Sequence, residues 1–504
     1  MHFKSTFLKN FLTVGLWTFV SRIFGFCRDI MLAAFLGSGP IGEAFIIAFS
    51  LPNIFRRFFA EGAFNAAFIP MFKKNMHNKK QSIEFTNNTL SVMILILFIF
   101  TIISIIIMPL LVFAMASGFQ NDVRFETSVI YGRITFPYIF FVSLSSLFAG
   151  ILNSYGKFGV VSATPIFLNL FLIFAMILSY ILDWEVGVML SISIPLSGIL
   201  QLIVLIHTTR KLGYFPKLKI PKFNGKIRKL LIIALPAVLT GGVIHINLLV
   251  GRQIASYYEG AIAWLNYADR LYQLPLGVVG VALGSVLLPK LSEKIPLDNS
   301  SELHNVVSHA LKIAAILIFP ATAALIILPV PIITVLFERG EFSIIDSKNT
   351  ASALSIYATG LPAFVLHKIF TPIFFSKGDT KTPFRIAVFS MLANIILAIS
   401  LIGHFEFLAP VLSTSISSWI MAFALYHKSK KLGFYFDWKL IKEIIMILVS
   451  TIILSLVLIL AQKEWFYLLT TNNFSLFYLI ILISASSSIY FLTLWFFGIL
   501  NKNK

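Results

Sequence analysis

Cysteine is nearly missing from this 504-residue chain. Cys27 stands alone, which excludes an internal disulfide and any thiolate metal cluster. The nine histidines never fall in HxxxH or HExxH spacing, so a metal centre of that kind is not expected. Charge is scarce too. Asp, Glu, Lys and Arg make up 12% of the residues against 58% hydrophobic, with mean hydropathy +0.90. An ordinary soluble domain carries about 25% charged residues. Long loops are also lacking on the side that carries the acids, which leaves little room for an extramembrane catalytic domain. An enzyme such as a lipid-linked glycosyltransferase is therefore not expected.

What remains is a series of charge-free runs. Twelve reach 18 residues or more: 85–121, 134–156, 158–182, 186–209, 230–251, 271–289, 313–337, 349–367, 386–405, 407–427, 444–462 and 465–501. Each is long enough to cross a hydrocarbon core of about 30 Å as a helix. Residues 8–37 and 40–70 are equally apolar apart from isolated charges, and Gly37-Ser38-Gly39-Pro40 separates them. The expected architecture is an all-α polytopic membrane protein with fourteen transmembrane helices. The first span is longer than a signal-peptide core and contains Arg22, so it reads as retained.

The formal net charge of +19 invites a nucleic-acid reading, which the placement of the charges rejects. With the N-terminus in the cytoplasm, cytoplasmic segments hold 28 of the 40 Lys and Arg. External loops hold Arg124, Arg252, Arg339, Lys348 and Lys463, together with eleven acids from Glu43 to Glu464. The positive-inside rule accounts for this asymmetry and brings the C-terminus to the cytoplasm as well. No nucleic-acid partner is expected.

The sequence also repeats itself. RKLGYF at 210–215 returns as KKLGFY at 430–435, and Pro70, Pro137 and Asn169 pair with Pro289, Pro362 and Asn394, all at offsets of 219–225. This points to two parallel six-helix repeats, an arrangement seen in alternating-access transporters. The expected lobes are 1–210 and 230–431, joined by a basic cytoplasmic linker at 211–229. Helices 13 and 14, at 440–501, fall outside the repeat.

The first span breaks the apolar pattern with SRIFGFCRDI at 21–30. On a helical wheel Asp29, Thr18, Gly25 and Gly15 lie within about 60° of Arg22, and Arg28 about 120° away. A polar face of this kind is expected to line a watery cavity. Span 2 adds Arg56, Arg57 and Glu61. Arg57 and Glu61, four residues apart, either pair with each other or face the cavity. Span 8 begins with Asp269 and Arg270 side by side. Five intramembrane arginines, Arg22, Arg28, Arg56, Arg57 and Arg270, thus outnumber the acids Asp29, Glu61 and Asp269. A cationic central cavity suits an anionic substrate, and the guanidinium fork suits phosphate or carboxylate oxygens.

Three segments resemble signature stretches of the MurJ (MviN) lipid II flippases: SRIFGFCRD, EAFIIAFSLPNIFRRFFAEGAFNAAFIP and YADRLYQLPLGVVGVALGSVLLPKLS. That family belongs to the wider multidrug/oligosaccharidyl-lipid/polysaccharide exporter group, and the resemblance runs along the whole chain, including KTP at 381–383. It implies a multi-pass protein of the bacterial inner membrane. Such a protein flips undecaprenyl-diphosphate-linked peptidoglycan precursor, lipid II, from the cytoplasmic to the periplasmic leaflet. It further implies substrate-binding cavity arginines at Arg22, Arg28, Arg56 and Arg270, with Asp29 as their acidic partner. Glu43 stands where well-known members have Asp, and Glu43, Arg57, Glu61 and Asp269 are gate or ion-pair candidates. Helices 13 and 14 are implied to form a groove for the lipid tail. Lipid II and membrane lipids are the expected partners, with the cell-wall synthesis machinery as a candidate.

The sequence departs from the family pattern in places. Ser50 stands where some members have a lysine, and Gln273 where some have a glutamate. Some members bind sodium through an Asp on helix 7 and Asn-x-x-x-Asp on helix 11. Helix 7 has no Asp here, and Asn394 is followed four residues later by Ala398. Sodium coupling is doubtful on that ground. No cofactor is expected, and membrane potential is the expected drive. A same-fold exporter of another lipid-linked oligosaccharide, or of a drug, is the alternative.

Overall fold

Away from water a backbone must satisfy its own polar groups, and the apolar runs do so as helices. The structure is a computed structural model that describes residues 2–59, 63–292, 300–470 and 474–500. The chain divides into two compact units, Met1–Gly260 and Ala261–Lys504.

The first unit contains α1 (His2–Leu36), α2 (Pro40–Phe59), α3 (Ala63–Asn75), α4 (Lys79–Ile106), α5 (Met108–Met115), α6 (Val123–Thr135), α7 (Tyr138–Ser154), α8 (Phe158–Ala163), α9 (Pro165–Leu182), α10 (Val186–Lys211) and α11 (Gly225–Ala255). The second contains α12 (Ala261–Ser292), α13 (Ser300–Ile327), α14 (Pro329–Phe337), α15 (Ile344–Ser376), α16 (Lys381–Phe405), α17 (Ala409–Ser429), α18 (Trp438–Thr470) and α19 (Ser475–Phe496). Each expected span falls on one helix or on a consecutive pair, consistent with fourteen crossings. Among the described residues nine helical segments are long and apolar enough to cross a membrane, one of them, 381–432, holding both α16 and α17.

Proline explains several of the breaks and two of the tertiary bonds. Pro109, Pro165 and Pro329 stand in the first turn of α5, α9 and α14, where the missing N–H costs nothing. Pro52 and Pro320 instead lie inside α2 and α13. Each removes the donor to the carbonyl four residues earlier. In both cases another helix supplies the missing proton. Thr135 Oγ1 of α6 donates to the Ala48 carbonyl at 3.2 Å, sharing its proton with the Gly132 carbonyl at the same distance, and Tyr490 Oη of α19 donates to the Ile316 carbonyl at 2.9 Å.

The repeat has a structural counterpart. Gly213 and Gly433 both take positive φ, 73° and 91°, a region a side chain would strain. Each lets the chain turn off its helix so that the next aromatic, Tyr214 or Phe434, is buried. Asn169 and Asn394 are likewise both buried.

The repeat groups residues 230–251 with the second lobe, but the helix that carries them belongs to the first compact unit. Helix α11 packs on α2, α3 and α5. Its last turn is bonded to the segment after α5: Gln253 Nε2 donates to the carbonyls of Phe113 and Ala114 at 2.9 and 2.7 Å, and the Ser117 amide donates to Gln253 Oε1 at 2.9 Å.

Candidate functional site

Helix α1 packs along α8 and α9, and this contact decides which of its charges are covered. Arg28 and Asp29 are each 7% exposed, whereas Arg22 is exposed. Neighbours at i and i+1 on a helix do not ordinarily face each other. Here the Arg28 guanidinium folds back so that Nε and Nη2 donate to Asp29 Oδ1 at 3.0 and 2.6 Å. Asn169 of α9 holds it there. Its Oδ1 accepts from Arg28 Nη1 at 2.8 Å, and its Nδ2 donates to the Ser21 carbonyl at 3.1 Å. Gly25 keeps α1 free of a side chain where the Asn169 amide lies.

Three of the five guanidinium N–H bonds of Arg28 are thereby directed, which among the described residues leaves one proton on each of Nη1 and Nη2. A pair of terminal N–H groups of this kind matches two oxygens of one anion. Arg56, on α2 of the same unit, is half-buried. In the second unit Arg270 is half-buried on α12 beside Asp269, whose carboxylate accepts from the Gln273 amide. Gln273 therefore adds a hydrogen-bond donor to this acid. The Arg57 side chain and Glu61 lie outside the described residues.

Glu43 has a defined partner. Fully buried at the start of α2, it accepts from Arg124 Nη1 at 2.7 Å. Arg124 Nε donates to Asp122 Oδ2 at 2.6 Å, and the guanidinium lies 4.3 Å from the centre of the Phe119 ring. Burial pushes the Asp122 carboxyl upward, but the Arg124 amide and guanidinium outweigh it and hold the group below its ordinary value. Glu43 is thus an ion-pair residue, and the arginine that answers it was legible in the sequence only as an external charge. Asn169 was legible only as a landmark of the repeat.

Asn394 of α16 has both ends of its amide engaged. Ser413 Oγ donates to its Oδ1 at 2.8 Å, and its Nδ2 donates to Thr414 Oγ1 at 3.3 Å. Ala398, one turn on, is buried. Among the described residues no group of three or more His, Cys, Asp or Glu side chains could hold a metal ion. An apolar cavity of about 320 Å³ lies within the second unit, walled by Leu311 and Ile318 of α13, Pro362 of α15, Trp419 of α17, and Ile441 and Ile445 of α18. The walls include α18, one of the two helices that the resemblance assigns to a lipid tail.

A sequence profile described as "Lipid II flippase MurJ" matches residues 32–484. The chain is 39% identical over 456 residues to a probable lipid II flippase MurJ of Rhizobium tropici, covering 89% of this chain and 86% of that protein. It is 37% identical over 429 residues to a protein of the same description from Rickettsia prowazekii (strain Madrid E), covering 84% of each. Among solved structures, a lipid II flippase MurJ in an inward closed conformation superposes with a TM-score of 0.82 at 26% identity, covering 96% of this chain and 98% of that one. An inward-facing multidrug resistance MATE family transporter of the MOP superfamily superposes at 0.67 with 16% identity over 82% of this chain, a likeness of fold alone.

Proposed function

The chain belongs to the lipid II flippase MurJ family, and on that premise we propose that it carries lipid II across the bacterial inner membrane, from the cytoplasmic to the periplasmic leaflet. In this reading both termini lie in the cytoplasm, which the distribution of Lys and Arg supports. The observation that carries the chemistry is the Arg28 node. A buried guanidinium is held by Asp29 and Asn169, with two N–H groups that make no bond among the described residues, which suits the diphosphate of the substrate.

Arg28 is the principal ligand in the first unit, with Arg22 and Arg56 assisting, and Arg270 is the ligand from the second. Asp29 orients Arg28 and keeps part of its charge balanced when no substrate is bound. The two lobes open alternately to either leaflet, as parallel repeats permit. The undecaprenyl tail stays among apolar surfaces, and the cavity walled by α18 is its candidate contact in the second unit. An anion leaving a cell that is negative inside moves downhill by about 2.3 kcal/mol per charge per 100 mV, so membrane potential is the proposed drive. With both ends of the Asn394 amide engaged and alanine at position 398, coupling by sodium there is not part of this reading.

The test is to place the chain in a bacterium whose own flippase can be switched off, and to measure the lipid II reachable at the outer surface. Exposure with the wild-type chain supports the substrate. A well-expressed chain that exposes none overturns it and points to another lipid-linked cargo.

A further inference from the structure

The segment that joins α10 to α11 is basic and apolar at once. Between residues 210 and 229 stand Arg210, Lys211, Lys217, Lys219, Lys222, Lys226, Arg228 and Lys229, and no acid occurs anywhere between Glu185 and Glu259. Four large apolar side chains, Phe215, Leu218, Ile220 and Phe223, are exposed among these charges, Leu218 at 69% and Ile220 at 83%. Apolar side chains so exposed on an ordered, non-helical backbone are costly in water.

The backbone itself is held by α4. The Lys217 amide donates to Asn87 Oδ1 at 2.7 Å, Lys219 to Ser91 Oγ at 2.9 Å, and Lys222 to Asn88 Oδ1 at 2.8 Å, while Asn88 Nδ2 returns a bond to the Lys222 carbonyl at 2.7 Å. At its start the Tyr214 hydroxyl pairs with Ser82 at 2.5 Å, and Arg210 lies 3.9 Å from the centre of the Phe215 ring. From Ser82 to Ser91 is about 13 Å along the helix axis. The segment therefore runs from the polar end of α4 into its charge-free stretch. Non-helical backbone at that depth requires partners for its polar groups, and the asparagines and serine of α4 provide them.

We infer that residues 214–223 form an interfacial anchor that binds anionic phospholipid headgroups on the leaflet facing the linker. Leu218 and Ile220 enter the headgroup–acyl boundary, and Lys217, Lys219 and Lys222 contact lipid phosphates. Charge complementarity selects the occupant. A stretch with lysines and no acid suits an anionic lipid surface, and its exposed apolar side chains match the acyl boundary beneath the headgroups. The anchor would fix the end of α10 and the start of α11 relative to the membrane plane. It does not depend on what the protein transports.

The experiment uses the full chain in lipid nanodiscs. Cys27→Ser removes the only native thiol, and Ile220→Cys carries a nitroxide whose collisions with oxygen and with a water-soluble nickel chelate are compared. With a third of the lipid as phosphatidylglycerol, the label meets oxygen in preference to nickel. In phosphatidylcholine alone that preference falls. Combining K217Q, K219Q and K222Q abolishes the difference between the two lipids. Native mass spectrometry of the same discs reads bound phosphatidylglycerol directly, with a loss of about fivefold expected per lysine removed, as for basic side chains near an anionic surface. A label as open to nickel as one in bulk water overturns the proposal and leaves a protein partner as the alternative occupant. A lipid-facing label indifferent to lipid charge, with unchanged phosphatidylglycerol retention in the triple variant, overturns its anionic part.

Discussion

Two buried arginines in the first unit answer to different acids, and each supports a different prediction. Arg28 is poised by Asp29 and Asn169. Hydrogen bonds to a charged group contribute about 1.5–3 kcal/mol. Asn169→Ala should therefore cut lipid II exposure by about tenfold or more at matched membrane levels, with the fold retained. Asn169→Asp, which keeps an acceptor for Nη1, should cost less, and equal losses from both would contradict a positioning role. Arg124, by contrast, neutralises a fully buried Glu43. Arg124→Ala strands that carboxylate and should destabilise the protein by about 3–5 kcal/mol, whereas Arg124→Ala with Glu43→Ala should recover much of the loss. Thermal unfolding in detergent distinguishes the two variants. The sequence exposed Arg28 and Asp29 through their cost inside a span. It could not expose Asn169 or Arg124 as partners, because each contact joins residues 81 to 141 positions apart, and nothing local marks them.

At the scale of helices, two prolines inside α2 and α13, Pro52 and Pro320, tie distant elements together. Pro52 frees the Ala48 carbonyl for Thr135, and Pro320 frees the Ile316 carbonyl for Tyr490. Thr135→Val and Tyr490→Phe remove the donors without changing shape much, and each should cost about 1 kcal/mol in stability. Replacing the matching proline by alanine as well should restore most of that loss, because the helix then supplies its own donor; no restoration would contradict the pairing. Proline positions were plain in the sequence, but which helix answers each freed carbonyl depends on packing. A third element carries a pH signature. Asp437 caps α18 through the Leu440 amide at 2.8 Å, and that bond, opposed by burial and aided by His304, holds the carboxyl below its ordinary value of 3.8. A lowered carboxyl stabilises the folded state above its ordinary value and loses that contribution as pH falls through the folded-state value. Asp437→Ala should cost about 1 kcal/mol near neutral pH, and its gap from wild type should narrow on acidification below 3.8. A gap that stays constant from neutrality to acid pH would contradict the assignment.

Across the whole molecule the apolar runs and the charge asymmetry follow from the solvent that surrounds the chain, which is why the helices could be anticipated, and the 220-residue repeat is what pairs the Gly213 and Gly433 turns. The limit of the repeat appears at α11, whose terminal Gln253 bonds to the segment after α5 and draws the helix into the first unit. The sequence repeat groups that helix one way, and its hydrogen bonds group it the other. Function at this scale rests on a cationic membrane protein moving an anionic lipid. The most direct test compares wild type with Arg28→Ala in cells depleted of their own flippase, reading the fraction of lipid II reachable at the outer surface at equal membrane abundance. The account predicts exposure with wild type and little with Arg28→Ala. Equal exposure from the two would contradict the place given to Arg28.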